Sequence, residues 1–205
     1  MNIWYLIKIG GVTMVILLAM SVVSVAIILE RIIFYRIKSK LKRKDFMLRI
    51  RQALKKGGVK PAMEICQESN APFSQVVYAG LSFFDCSEKE ISNNMERQII
   101  IETVILERFT SVIGTIGSVS VYIGLLGTIL GILKAFHDVS ISGSGGISVI
   151  IGGISEALST TAAGLTIAVP AVAIYNYCMK KIDDFIKDME LAASETMDLI
   201  SALKK

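Results

Sequence analysis

The chain is short of the residues on which most enzyme chemistry is built. It carries one histidine, His137, and three cysteines in 205 residues. No metal-ligand cluster, phosphate-binding loop or nucleophile–base pair can be assembled from its motifs. Three cysteines, an odd and small number, exclude a disulfide-stapled secreted fold. Prolines are equally few. Pro61 and Pro72 mark breaks in the first half, and Pro170 falls in an apolar run. Charge is scarce at 20%, against about 25% in an ordinary soluble domain. Apolar residues take its place, at 53% of the chain with a mean hydropathy of +0.59. That composition excludes intrinsic disorder. No internal repeat of 20–50 residues is evident.

The charge that is present is segregated. Eleven of the 22 Lys and Arg lie between Arg36 and Lys60, opposed only by Asp45. From Ala135 through Met179 there is no Lys or Arg at all. The basic block lacks an interleaved aromatic series and follows a long apolar run. It therefore reads as the positive flank of a membrane span rather than as a nucleic-acid site. Contact with anionic membrane lipids is compatible with it.

Three uncharged or nearly uncharged runs are long enough to cross a bilayer. Ile9–Leu29 is closed by Lys8 and by Glu30-Arg31. About 20 helical residues suffice for a core of about 30 Å. A cleaved signal peptide has a shorter apolar core and small residues at its end, so a retained anchor is expected. Phe109–Leu133 lies between Arg108 and Lys134, and Ile147–Met179 is interrupted only by Glu156. The third run exceeds what a bilayer requires, so its helix is expected to extend beyond the membrane or to tilt. The bias of Lys and Arg sets the direction. It places an outer (periplasmic) N-terminus at 1–8, spans at 9–29, 109–134 and 148–178, and a short outer loop at 135–147. Residues 30–108 and the tail 179–205 are then cytoplasmic. The cytoplasmic part reads as helical. Ser87-Glu88-Lys89-Glu90 fits a capping box, and a continuous helix is expected from about Ser87 to Lys134. Cys66 and Cys86 would be ordinary thiols in a reducing compartment.

The spans carry a sparse set of polar and small residues. Gly124, Gly127 and Gly131 in the second span, with a G-x-x-x-G at the last two, suit close helix packing in lipid. Thr128 lies among them and is able either to face a wet cavity or to bond its own backbone. Glu156 lies about nine residues, or roughly 13 Å, inside the third run. A carboxylate there costs at least about 2.5 kcal/mol on the insertion scale. It therefore faces protein or an aqueous path, unless the span starts later and leaves it at head-group level. Glu156, Thr160 and Gly164 follow i, i+4, i+8, while Leu158, Leu165 and Val169 lie opposite. Thr160 and Thr161 are 100° apart, so at most one is expected to point fully into a narrow path. A thin polar stripe with one acid suits movement of a proton or monovalent cation. His137-Asp138 reads either as a solvated loop pair or as a proton antenna.

Two stretches resemble the paired signatures of the ExbB/TolQ/MotA proton-channel family. Tyr122-Ile-Gly-Leu-Leu-Gly-Thr-Ile-Leu-Gly-Ile-Leu-Lys-Ala-Phe136 is similar to GLLGTVxGxxxxF. Gly153-Ile-Ser-Glu-Ala-Leu-Ser-Thr-Thr-Ala-Ala-Gly-Leu-Thr-Ile-Ala-Val-Pro-Ala171, continuing to Tyr175-Asn176, is similar to IxEALxxTAxGLxxAIPAxxxYN. Leu106-Glu107-Arg108 is similar to the family's LER ahead of the second span. The three-span layout resembles the ExbB and TolQ members, ExbB first, rather than the longer four-span MotA members.

The resemblance implies an all-α integral membrane protein with long cytoplasmic helix extensions. It would form a homo-oligomeric ring of five in the inner membrane. A single-span partner of ExbD/TolR type would bring an essential aspartate into the central pore. A TonB- or TolA-like protein would carry the work outward. The coupling ion is the proton, with no metal, cofactor or enzymatic activity. Carried over by position, Thr128 and Thr161 match pore-facing threonines and Glu156 the intramembrane glutamate. Pro170 matches the conserved proline, and Gly164 belongs to the packing set. Glu156 and Thr161 are five residues and 140° apart, so Glu156 is either on the proton route or structural. The implied role is an ExbB-like motor subunit for outer-membrane transport. The alternatives are a TolQ-like subunit of the envelope-maintenance Tol system, a non-conducting scaffold, or a stand-alone cation channel.

Overall fold

The computed structural model describes residues 3–142 and 147–204, with side chains described for 11–141 and 150–204. Among the described residues every regular element is an α-helix. They are α1 (Ile3–Lys38), α2 (Arg43–Gly57), α3 (Val59–Gln67), α4 (Pro72–Ser82), α5 (Glu88–Glu107), α6 (Thr110–Ser142) and α7 (Ile147–Leu203). Three of them, α1, α6 and α7, are long and apolar enough to cross a membrane. The chain divides into two compact units, Met1–Glu30 with Phe109–Tyr177, and Arg31–Arg108 with Cys178–Lys205.

In the first unit α6 and α7 run antiparallel and meet through small residues. Gly117 lies against Ala171 and Val172, Gly124 against Gly164, and Gly131 against Ala157. Leu125, Ile129, Leu133, Leu158, Leu165 and Val169 are left exposed, and such an apolar exterior suits lipid. Within α1 the helix is kinked at Gly11 (φ 54°, ψ −145°). Only glycine takes that conformation without strain, so the span expected from Ile9 is interrupted near its start.

Two expected boundaries are corrected. The helix expected to end at Lys134 continues to Ser142, so 135–142, including His137-Asp138, are helical rather than part of a connection. A charged side chain ends an apolar run but not a backbone ladder, and the first glycine after Lys134 is Gly143. The remainder of the expected connection, 143–146, lies outside the described residues. The continuous helix expected from Ser87 to Lys134 is instead broken. α5 stops at Glu107, Arg108 is extended (ψ 132°) and Phe109 is left-handed (φ 63°). The Leu106 carbonyl, which an unbroken helix would give to the Thr110 amide, accepts Tyr35 Oη at 2.9 Å and Arg31 Nη1 at 3.5 Å. A left-handed Phe costs about 1–2 kcal/mol. Local propensity favours a straight helix there; the hydrogen bonds from α1 offset it.

The second unit is an ordinary helical core. α2, α3, α4 and α5 pack in succession, burying Phe46, Ile50, Ala62, Phe73, Val77, Ile91 and Met95. The continuation of α7 buries Cys178, Ile182, Phe185, Met189, Ala192, Thr196 and Ile200, a stripe at three- and four-residue spacing. Arg43 of α2 ties to it, with Nε 3.2 Å from Asp188 Oδ1 and Nη1 on Glu195 Oε1. The capping box forms: Glu90 N donates to Ser87 Oγ at 3.4 Å and Ser87 N to Glu90 Oε2 at 3.0 Å. All three cysteines are free, and burial pushes the Cys66 thiol up to about 12.

Glu102 is the strained member of this core. It is 5% exposed, and its Oε2 has no hydrogen-bond partner. Its Oε1 accepts from Gln98 Nε2 at 3.2 Å. Burial raises its carboxyl above the ordinary value of 4.5, against the opposing pull of Lys38 and Gln98. A raised folded-state value favours folding below the unfolded value and loses that contribution as pH rises. Glu102→Gln, which keeps the Oε1 acceptor and removes the charge, is therefore expected to melt higher than the parent at pH 7–8. The gap should close as the pH falls toward 4.5. Melting curves across that range check it, and a lower melting point at pH 7.5 would show that the Lys38 attraction dominates.

Candidate functional site

The site grows from one packing requirement. Where α6 crosses α7, Gly124 and Gly164 let the backbones meet. A Cβ built on Gly124 would lie 3.1 Å from the Thr160 carbonyl oxygen and 3.3 Å from Gly164 Cα. With no side chains between them, the Gly124 and Ala157 carbonyls are open to hydroxyl donors as well as to their own ladders.

Three threonines use them. Thr161 donates to Gly124 O at 3.0 Å, and Thr160 donates to Ala157 O at 2.7 Å and reaches Gly124 O at 3.3 Å. Thr128 lies 3.2 Å from Gly124 O in its own helix and 3.3 Å from Ala157 O across the crossing. Thr128 and Thr161 also share a short hydroxyl–hydroxyl hydrogen bond. Thr160 and Thr161, of which at most one was expected to point fully into a narrow path, share an acceptor yet face different surroundings. Both reach Gly124 O because that carbonyl lies between their directions. They differ in burial: Thr160 is 2% exposed, whereas Thr161 and Thr128 are half-buried.

Glu156 lies on the other side of Thr160. It is half-buried and lines a cleft of about 220 Å³ with Thr13, Gly127, Lys134, Ala157 and Thr160. The i, i+4 stripe of Glu156 and Thr160 thus shares one cleft, while Thr161 faces Thr128. The two sets meet at Gly124 O and Ala157 O. Gly127 and Gly131 line the cleft rather than only packing. α7 runs on through Pro170. The ring nitrogen has no hydrogen to give the Thr166 carbonyl one turn earlier.

Three contributors were not visible as site residues in the sequence. Thr13 of α1 is buried, with its Oγ1 2.9 Å from where a Gly127 Cβ would be. The signal for it was the same as for Thr128, a hydroxyl within an apolar run. Lys134 marks the end of an apolar run in the sequence, yet its exposed side chain borders the cleft that Glu156 lines. Ser120 is buried where Gly164 crosses, and its carbonyl would lie 2.5 Å from a Gly164 Cβ.

A hydroxyl accepts and donates at once, so Thr128 and Thr161, which share a hydrogen bond, can hand a proton between them, while the two backbone carbonyls only accept and hold the hydroxyls in place. Among the described residues there is no group of ligands able to hold a metal. Residues 68–191, which contain both halves of this crossing, match the MotA/TolQ/ExbB proton channel family. The chain belongs to this family. It is 30% identical over 161 residues to the biopolymer transport protein ExbB of Pseudomonas putida, covering 74% of this chain and 49% of that one. It is 32% identical over 114 residues to the ExbB of Aquifex aeolicus, covering 49% of this chain and 77% of that one. A protein of Methanothermobacter thermautotrophicus named for homology to ExbB is 27% identical over 187 residues, 91% of this chain and 66% of that one. The chain thus spans about half the length of the Pseudomonas relative and just under two thirds of the Methanothermobacter one. As a member of the MotA/TolQ/ExbB family with three apolar helices, it is a membrane protein of a proton-channel family rather than of an enzyme family.

The close approach at Gly164 makes a direct prediction. Gly164→Ala sets a Cβ against a backbone oxygen, which side-chain motion cannot relieve. Overpacking of this kind costs about 1–3 kcal/mol. A lower melting temperature of the detergent-extracted protein is expected. Gly152→Ala meets nothing within 4 Å and is expected to leave it unchanged.

Proposed function

We propose that the chain is the ring subunit of a proton-driven motor in the bacterial inner membrane, of ExbB type. The observation that carries this reading is the set of three threonine hydroxyls on two shared carbonyls, held between apolar helices, with a carboxylate lining the adjoining cleft. Such an arrangement moves small charge rather than bulky substrate. Membership of the MotA/TolQ/ExbB family and likeness to ExbB proteins named for biopolymer transport support it.

In this reading five copies enclose a pore lined by α6 and α7. Thr128 and Thr161 face the proton path, and Glu156 supplies the acid at the cleft end of it. A single-span partner of ExbD type stands in the pore with an aspartate. Its displacement relative to the ring, as protons pass, does work on a TonB-like protein that serves outer-membrane transport. One charge crossing 100 mV releases about 2.3 kcal/mol, enough to drive such a step when several protons pass. The N-terminus is periplasmic and the C-terminus cytoplasmic, because the basic block 36–60 and the Lys of 180–205 then lie inside.

Two measurements test it together. Native mass spectrometry of the gently extracted protein is expected to give a ring near five times 22.3 kDa, with or without a small partner. Transport in cells is expected to stop when an uncoupler collapses the proton gradient. A monomer or dimer, or transport that survives the uncoupler, would replace the motor with a membrane scaffold.

A further inference from the structure

The basic block is left without a task by the proton path, and α2, its centre, lies outside the residues that match the family. α2 buries Phe46, Met47, Ile50 and Leu54 on one side. Arg43, on that side, is committed to Asp188 and Glu195. The other five cations, Lys44, Arg49, Arg51, Lys55 and Lys56, are exposed. None of them makes an ion pair among the described residues. At 100° per residue they fill the arc opposite the buried stripe, with Asp45 as the one acid. Leu48 stands among them, 56% exposed. An apolar side chain ringed by unpaired cations suits the head-group level of a bilayer.

A recess adjoins this face. It is a cleft of about 300 Å³ that brings Lys38 and Lys40 of the α1 end together with Arg49, over Ile37, Leu41 and Phe46. Glu68 is its one acid. Three cations over an apolar floor suit a phosphodiester with its glycerol and first methylenes. The tether is short as well. The stretch from Leu29, where the first apolar run ends, to Lys38 covers about 14 Å at helical rise. That is between one and two screening lengths at physiological salt, about 8–10 Å each, so an anionic surface is still felt at the start of the basic block.

We propose that the outward face of α2, with this recess, docks on anionic phospholipid head groups of the membrane that the chain itself crosses. Charge complementarity selects the occupant: exposed, unpaired cations next to a bilayer meet anionic lipid before any other polyanion. The proposal needs only that the chain crosses a membrane. It stands or falls separately from proton conduction.

The test uses the full chain in nanodiscs of phosphatidylcholine, with or without phosphatidylglycerol, and an amine-reactive ester read out by mass spectrometry. Lys44, Lys55 and Lys56 are expected to label at least roughly three-fold more slowly in the anionic discs, with the difference erased by about 0.5 M salt. Lys89, exposed on α5, serves as the reference and is expected to label alike in both. Arg49→Gln with Arg51→Gln, two exposed changes, should remove much of the protection at Lys55 and Lys56. Equal labelling in the two discs would overturn the proposal. Slow labelling in both would overturn it too, since it would mean that protein, such as a second copy, covers the face.

Discussion

The contact between Gly124 and Gly164 is the constraint on which the rest of the site depends. In lipid a polar group has no water to turn to, so a hydroxyl must find a partner inside the protein. Side chains larger than hydrogen at these two positions would hold the α6 and α7 backbones apart. The Gly124 and Ala157 carbonyls would then be out of reach of hydroxyls on the facing helix. With the backbones in contact, Thr128 and Thr160 reach both acceptors and Thr161 reaches the Gly124 carbonyl. Packing and polar chemistry are therefore one feature, and the glycines do more than fill space.

The second unit solves a different problem with ordinary means. Its core is built from α2–α5 and the continuation of α7, with a capping box at Ser87 and a regular buried stripe from Cys178 to Ile200. Its cations divide by partner. Arg43 is held by acids of α7, whereas the rest of α2 shows unpaired charge outward. The same helix thus anchors the core on one side and keeps a charged surface on the other.

Much of this was legible in the sequence, for reasons that differ by residue. The three spans follow from composition, and the pairing of Glu156 with Thr160 follows from 3.6-residue periodicity. Thr161 was selected by resemblance, since spacing alone could not choose it over Thr160; the fold engages both. The break at Arg108–Phe109 was not legible, because no glycine or proline marks it. It depends on Tyr35 and Arg31 reaching the Leu106 carbonyl from some 70 positions away. Helix propensity is local, and a tertiary acceptor overrides it. The extension of α6 past Lys134 was missed because the end of an apolar run was read as the end of a helix. Nothing in that run marks Lys134 as a residue that borders the cleft of Glu156. Thr13 was missed because it lies alone on α1, and only packing brings it to Gly127.

Proton flux through the threonine cluster tests the account most directly. The chain would be reconstituted in liposomes with a single-span partner that carries an intramembrane aspartate. A pH-sensitive dye inside would report proton uptake under an imposed potential. With Thr161→Val the shape is kept and the hydroxyl lost; with Thr161→Ser the hydroxyl is kept. The account predicts uptake by the parent and the serine variant and little by the valine variant. Equal uptake by all three would contradict it, and would make the shared carbonyls of Gly124 and Ala157 a packing device only.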